Sequence, residues 1–255
     1  MFPGAFGGLF TRGGRGGPAR LEISHGGRRE VVSVKAVRRS GMRNISMRVS
    51  GPGSLSVSAP RWVSDAEVEG FVRSNAEWIF GQLDSLPQPI ALSERFLRSP
   101  RIFVEGNALD VEFAHSSGPG FWVEDAARGR LVLAFDGGRG GALEALFVRY
   151  ARGAIPRTVR RVAAELSLVP GPVSVRNQRG RWASRSSSGA MSFNWRVALL
   201  DWELQKYIVL HEFAHAEFMD HSVSFWICLN RMMPGARGVD RRLSRDGAEV
   251  MRVGR

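Results

Sequence analysis

Cysteine and lysine are almost missing from this chain. Its 255 residues hold one cysteine, Cys228, and two lysines, Lys35 and Lys206. A single thiol excludes an internal disulfide framework and suits a reducing compartment. Long apolar runs are missing too. Stretches such as Leu131 to Phe135 fall far short of the roughly 18 residues that a membrane span needs. Nor does an apolar core of signal-peptide length, followed by a small-residue cleavage site, open the sequence. These absences make a cytoplasmic protein with no membrane partner the expectation. Acidic charge is also in deficit: the net charge is +12, nearly all of it from arginine. Arginine in excess can serve a polyanion, because it neutralises phosphates and releases counterions. Here the arginines spread along the whole chain without a dense block. That favours a solvated basic surface over a nucleic-acid partner.

What is present is the composition of an ordinary globular protein, 44% hydrophobic and 24% charged. Met1–Arg20, rich in glycine and arginine, has no helical or strand period, and a disordered tail is expected there. Glu30 to Val37 is β-rich. Ile45 to Val49 and Leu55 to Ser58 bracket a Gly51-Pro52-Gly53 turn, which predicts a hairpin. Ser64 followed by Glu67 is a capping box, and Val68, Phe71, Val72, Ile79 and Leu83 carry one helical period to about residue 84. Arg101 to Phe113 and Phe121 to Phe135 read as two strand pairs. Leu143 to Leu168 reads as a long helix, interrupted or kinked by Gly153 and Pro156. Pro172 to Arg176 predicts a short strand. Gly189 to Val197 predicts a clearer one, with Met191, Phe193, Trp195 and Val197 on one face and Ser192, Asn194 and Arg196 on the other. Asp201 can cap a helix reaching about Asp220, and Ser222 another ending at Pro234. The order is strands, then a mixture, then helices, with no internal repeat: an α+β fold with a β-rich N-terminal portion and a mixed sheet. The expected organisation is a tail over 1–20, one domain over 21–243 with its core at 172–243, and a basic tail over 244–255.

The informative segment runs from Tyr207 to His221 and contains H-E-x-x-H as His211-Glu212-Phe213-Ala214-His215. Residues four apart share a helix face, so His211 and His215 can aim two imidazoles at one ion. Glu212 is rotated by about one hundred degrees from His211, out of ligand position but within reach of water on that ion. His221 falls where the helix should end and can swing back as a third ligand. Three protein ligands and one open position describe a catalytic zinc site. Zinc would then activate water and polarise a carbonyl, with Glu212 as general base. An oxyanion would need a donor or substrate contact, for which Arg181, Asn194 and Tyr207 are candidates; the sequence does not choose among them.

The stretch Arg176 to Leu243 resembles the YgjP-like metallopeptidase family, relatives of the SprT and WLM zinc peptidases. The resemblance rests on Arg181-Trp182-Ala183-Ser184-Arg185, then Asn194, then Tyr207 through His215, then Asp220-His221-Ser222 with Phe225-Trp226, and finally Pro234. Arg43 to Ile79 is similar to the family's N-terminal part. Ala183 and Arg185 stand where the family usually has glycine and cysteine. Phe218 stands where the metzincins, which share this histidine spacing, place a glycine. The resemblance implies a zincin-like fold whose helix bears the H-E-x-x-H motif, a zinc cofactor, and endopeptidase chemistry on protein or peptide substrates. It further implies that the strand before the metal helix pairs with extended substrate at its edge. SprT and WLM relatives also suggest a DNA-associated protease, and a zinc-binding module without activity is a third reading. Arg176, Arg179, Arg181, Arg185 and Arg196 surround that strand in sequence. Trp195, Trp202, Phe213, Phe225 and Trp226 are spaced as packing residues, and Cys228 as a small buried hydrophobe. His25 and His115 read as loop residues without metal partners.

Overall fold

The computed structural model describes residues 18–51, 53–86 and 88–255. The expected tail thus lies outside the described residues up to residue 17, while Ala19 and Arg20 already belong to the first strand. Where one domain was expected, the chain divides into two compact units, meeting in sequence at Pro87 and Gln88.

The first unit holds β1 (Ala19–His25), β2 (Arg28–Arg39), β3 (Ser46–Gly51) and β4 (Ser54–Pro60), followed by α1 (Asp65–Ser74) and α2 (Ala76–Ser85). Its sheet has the order β1-β2-β4-β3, with β2 and β4 parallel and the outer pairs antiparallel. In β4, Leu55, Val57 and Ala59 are buried while the intervening serines are not, the period of a half-buried strand. That face packs with Val68, Val72, Ile79 and Phe80 of the two helices. The capping box forms: the Ser64 N–H donates to Glu67 Oε2 at 2.7 Å, and the Glu67 N–H to Ser64 Oγ at 3.2 Å. The single helix expected to residue 84 is broken at Asn75. Its φ is −104°, and its side chain donates to the Phe71 carbonyl at 2.8 Å. Asparagine competes with the helix for backbone groups, and the apolar period continues on the far side of the break.

The second unit opens with α3 (Leu92–Arg98), then β5 (Arg101–Val104), β6 (Asn107–His115), β7 (Phe121–Asp125) and β8 (Arg130–Phe135). The order β5-β6-β8-β7, with its antiparallel, parallel and antiparallel neighbours, repeats the topology of the first sheet. No sequence repeat announces this, because what recurs is strand direction and alternation rather than residue identity. α4 (Ala142–Glu165) runs through Gly153 and Pro156 without interruption. Tyr150, Ala154, Ile155, Val159 and Val162 are buried along it, and this packing outweighs the one backbone donor that Pro156 removes.

The part that carries the site starts with β9 (Val173–Arg176), β10 (Ala183–Arg185) and β11 (Met191–Asn194), continues through a 3-10 turn at Trp195–Leu199, and ends with α5 (Trp202–Ala214), α6 (Val223–Met232) and α7 (Ala236–Val250). Two expectations are corrected here. The strand expected over Gly189–Val197 stops at Asn194, whose Oδ1 accepts from the Arg196 N–H at 3.1 Å and so begins the 3-10 turn. And β11 is no edge: it lies between β10, antiparallel, and β9, parallel. β10 and β9 are the edge strands.

The strand's early end buries Arg196 completely. Its guanidinium donates from Nε to the Val253 carbonyl at 2.6 Å, from Nη1 to Asn177 Oδ1 at 2.7 Å, and from Nη2 to the Gly254 carbonyl at 3.1 Å. Burial pushes its pKa down to about 10, assisted by Arg255. The expected tail at 244–255 is therefore built in. α7 continues to Val250, Val253 is fully buried, and the Ile90 N–H and Gly254 N–H exchange bonds with the carbonyls of Arg252 and Ile90. Arg196→Ala would strand several buried carbonyls at once. It is expected to lower the unfolding free energy by about 3 kcal/mol, measured by urea unfolding followed through tryptophan fluorescence.

Candidate metal centre

Asp201 caps α5 by accepting from the Leu204 N–H at 3.1 Å. The helix ends at Ala214 rather than near Asp220. Past it, 3-10-type bonds from Ala216 N–H to Phe213 O and from Glu217 N–H to Ala214 O tighten the turn. The chain then reverses so that His221, one residue before the Ser222 cap of α6, faces back toward α5. Ligand atoms of His211, His215 and His221 lie within 4.8 Å of one another. Nε2 of His211 and Nε2 of His221 are 3.0 Å apart. Two imidazole lone pairs at that distance need a cation or a proton between them. The spacing is close to the about 3.3 Å expected for two nitrogens on one tetrahedral zinc.

The surroundings suit a metal. His215 Nδ1 lies 2.9 Å from the Phe218 carbonyl, so Nδ1 carries the proton and Nε2 keeps its lone pair. His211 Nδ1 lies 3.4 Å from the Tyr207 hydroxyl, which donates to Asp240 Oδ1 at 2.8 Å. Burial, with the neighbouring His215 and His221, pushes the His211 pKa down to about 4 and keeps the imidazole neutral. Phe225, fully buried, lies 4.8–4.9 Å from all three imidazole centroids and forms an apolar floor. Three converging imidazoles, one of them with an oriented tautomer, fit a divalent metal ion.

Glu212 projects from α5 into a cavity of about 270 Å³ lined also by Arg181, Trp182, Ala183, Tyr207, His211 and Asp240. Glu212 is 4% exposed, and among the described residues its Oε2 has no hydrogen-bond partner. Burial pushes the Glu212 pKa up to about 7, against the pull of Arg185 and Arg181. Gly247 of α7 makes room for one wall: a Cβ there would come within 2.8 Å of the Trp182 ring.

The three candidates for oxyanion or substrate contact separate clearly. Arg181 is exposed and lines the cavity. Tyr207 lines it too, but its hydroxyl proton is committed to Asp240. Asn194 is fully buried outside it, and its amide donates to the carbonyls of Gln178 at 2.8 Å and Arg181 at 3.3 Å. It fixes the segment bearing Arg181 instead of offering a donor. Sequence reasoning missed Asp240 and α7. Val239, Leu243 and Val250, buried at helical spacing, were the available signal. Of the five arginines grouped by sequence, Arg196 is in the core, and Arg185 is half-buried with Nη1 unpartnered. Trp195, Phe213 and Phe225 are core residues, with Trp202, Trp226 and the half-buried Cys228 packed against them. His25 and His115 end strands rather than sitting in loops, and among the described residues neither joins a metal-ligating group. No helix is long and apolar enough to cross a membrane among the described residues.

Comparison with known proteins gives the site its context. Among curated proteins none matches the chain. Two solved structures align with part of it. The metallopeptidase zymogen abylysin of Pyrococcus abyssi is 28% identical, over 36% of this chain and 93% of that one, with a TM-score of 0.32. The metallopeptidase zymogen jannalysin of Methanocaldococcus jannaschii is 20% identical, over 36% of this chain and 95% of that one, with the same TM-score of 0.32. The sequence model of the YgjP-like metallopeptidase domain matches residues 43–246, spanning β3 through most of α7. The chain belongs to the YgjP-like metallopeptidase family.

Proposed function

We propose that the chain is a zinc endopeptidase of zincin-like fold, with His211, His215 and His221 as ligands and Glu212 as general base. The observation that carries this reading is three converging imidazoles beside a buried carboxylate with an unpartnered oxygen. Zinc held there supplies Lewis acidity, lowering the pKa of water towards about 7 and polarising a carbonyl. Glu212 accepts the proton of the attacking water and passes it to the leaving amine. Its raised pKa keeps both protonation states within reach near neutrality. Arg181, exposed at the rim, is the donor for the developing oxyanion. An extended substrate pairs with β10, the edge strand beside the cavity, rather than with β11. Profiling the peptides released from a proteome-derived mixture tests the reading. Cleavage should need zinc and vanish with a chelator; zinc-independent products would remove it.

Tyr207 and Asp240 orient His211 from behind. Tyr207→Phe should weaken zinc binding by about 10–100-fold, measured by competition with a chromophoric chelator. Asp240→Asn, which keeps an acceptor for the phenol, should weaken it less.

A further inference from the structure

A second concavity lies on the outer side of α6, beginning two residues after His221. It is a groove of about 700 Å³ between α6 and the first turns of α7. Val223, Trp226 and Ile227 form its apolar wall, three and four residues apart on one helix face. Val223 is 73% and Ile227 51% exposed, a large apolar surface for a helix otherwise packed against the core. Around the wall stand Arg231, Arg237 and Arg241, and no carboxylate lines the groove. The α7 arginines that form ion pairs are Arg242 and Arg245 instead, with Asp201, Glu203 and Asp246.

We propose that this groove binds a peptide segment with alternating acidic and apolar side chains, the continuation of a substrate chain whose scissile bond lies at the metal centre. The inference rests on the peptidase reading and names the class of substrate. Charge complementarity selects the occupant: the wall takes the apolar side chains and the three arginines take the carboxylates. A nucleic acid would want an aromatic platform for its bases. Among the described residues the one aromatic ring lining the groove, Trp226, is already covered by the Arg237 guanidinium 4.4 Å from its centroid. An isologous contact with a second copy would set arginines against arginines. Position fits as well. Val223 to Asn230 advances about 10 Å along the helix axis, which an extended chain crosses in about three residues. About three residues of a chain that leaves the metal centre past His221 therefore span the groove, which begins two positions on at Val223.

The test uses the full chain carrying Glu212→Gln, so that bound peptide stays intact. The probe is a short fluorescein-labelled peptide of alternating Glu and Leu, followed by fluorescence anisotropy. Saturable binding is expected. Arg237→Glu with Arg241→Glu should weaken it at least about tenfold and turn preference toward a Lys-Leu peptide, and Ile227→Ser should weaken it severalfold. These residues are exposed, and circular dichroism checks that the fold is kept. Binding unchanged by the arginine reversals overturns the proposal. So does competition by oligothymidylate with the same arginine dependence, which would make the groove a polyanion site. Dimerisation abolished by Ile227→Ser also overturns it, in favour of self-association. Anisotropy requires no turnover. Peptide binding by the variant beside a wild-type chain that cleaves nothing therefore sinks the catalytic reading and keeps the groove, whereas an active wild-type chain whose variant ignores the peptide does the reverse.

Discussion

Glu212→Gln is expected to lower peptide-bond turnover by about two to four orders of magnitude while leaving zinc content at the wild-type level. Glutamine has nearly the same volume and cannot take the proton of the attacking water. The fold should tolerate the change, because Glu212 Oε2 has no hydrogen-bond partner to lose and the carboxyl is buried at a desolvation cost. Substitution removes that cost, so thermal stability should hold or rise. Single-turnover cleavage of a proteome-derived peptide mixture, read by mass spectrometry beside metal analysis of the same preparation, checks both halves. Wild-type cleavage rates in the variant would take Glu212 out of the mechanism. Slow cleavage with zinc lost would show that it shapes the metal site rather than moving a proton.

The second large effect concerns His221, the ligand proposed from outside the helix. Wild-type protein should carry about one zinc per chain, and His221→Ala should lose most of it. His211 and His215 are anchored on α5, whereas His221 sits in the exposed turn before α6 with Nε2 3.0 Å from that of His211. Two imidazoles and water hold zinc far more weakly than three, and among the described residues no carboxylate belongs to the ligand group. Dialysis against a mild chelator followed by elemental analysis measures the loss. Full occupancy in His221→Ala would point to another ligand, with Glu217 in the same turn the first to replace next. Since His221 is exposed, the variant should unfold at nearly the temperature of the wild-type protein stripped of its metal, which separates ligand loss from misfolding.

What the sequence by itself determined was local. The spacing of His211, Glu212 and His215 fixes their relative directions on any α-helix. The caps at Ser64, Asp201 and Ser222 form as their residue types require, since a short oxygen-bearing side chain satisfies an orphan N–H wherever a helix starts. Alternation in β4 and the α+β class follow in the same way. Tertiary structure decided what depends on neighbours distant in the chain. β11 could be read as an edge because its residues do not record that β10 and β9 arrive on its two sides; those two strands are the edges instead. Arg196 reads as a surface residue until its partners appear more than fifty residues later, at the carbonyls of Val253 and Gly254. Those same contacts turn an expected tail into part of the core. The Tyr207–Asp240 link and the burial of Glu212 are likewise set by α7 and β10 closing over α5. Hydrogen bonds within one helical turn are encoded in a few adjacent residues. Burial, and with it the shifted pKa of the Glu212 carboxyl, is a property of everything that surrounds the group, and only the folded chain brings that together.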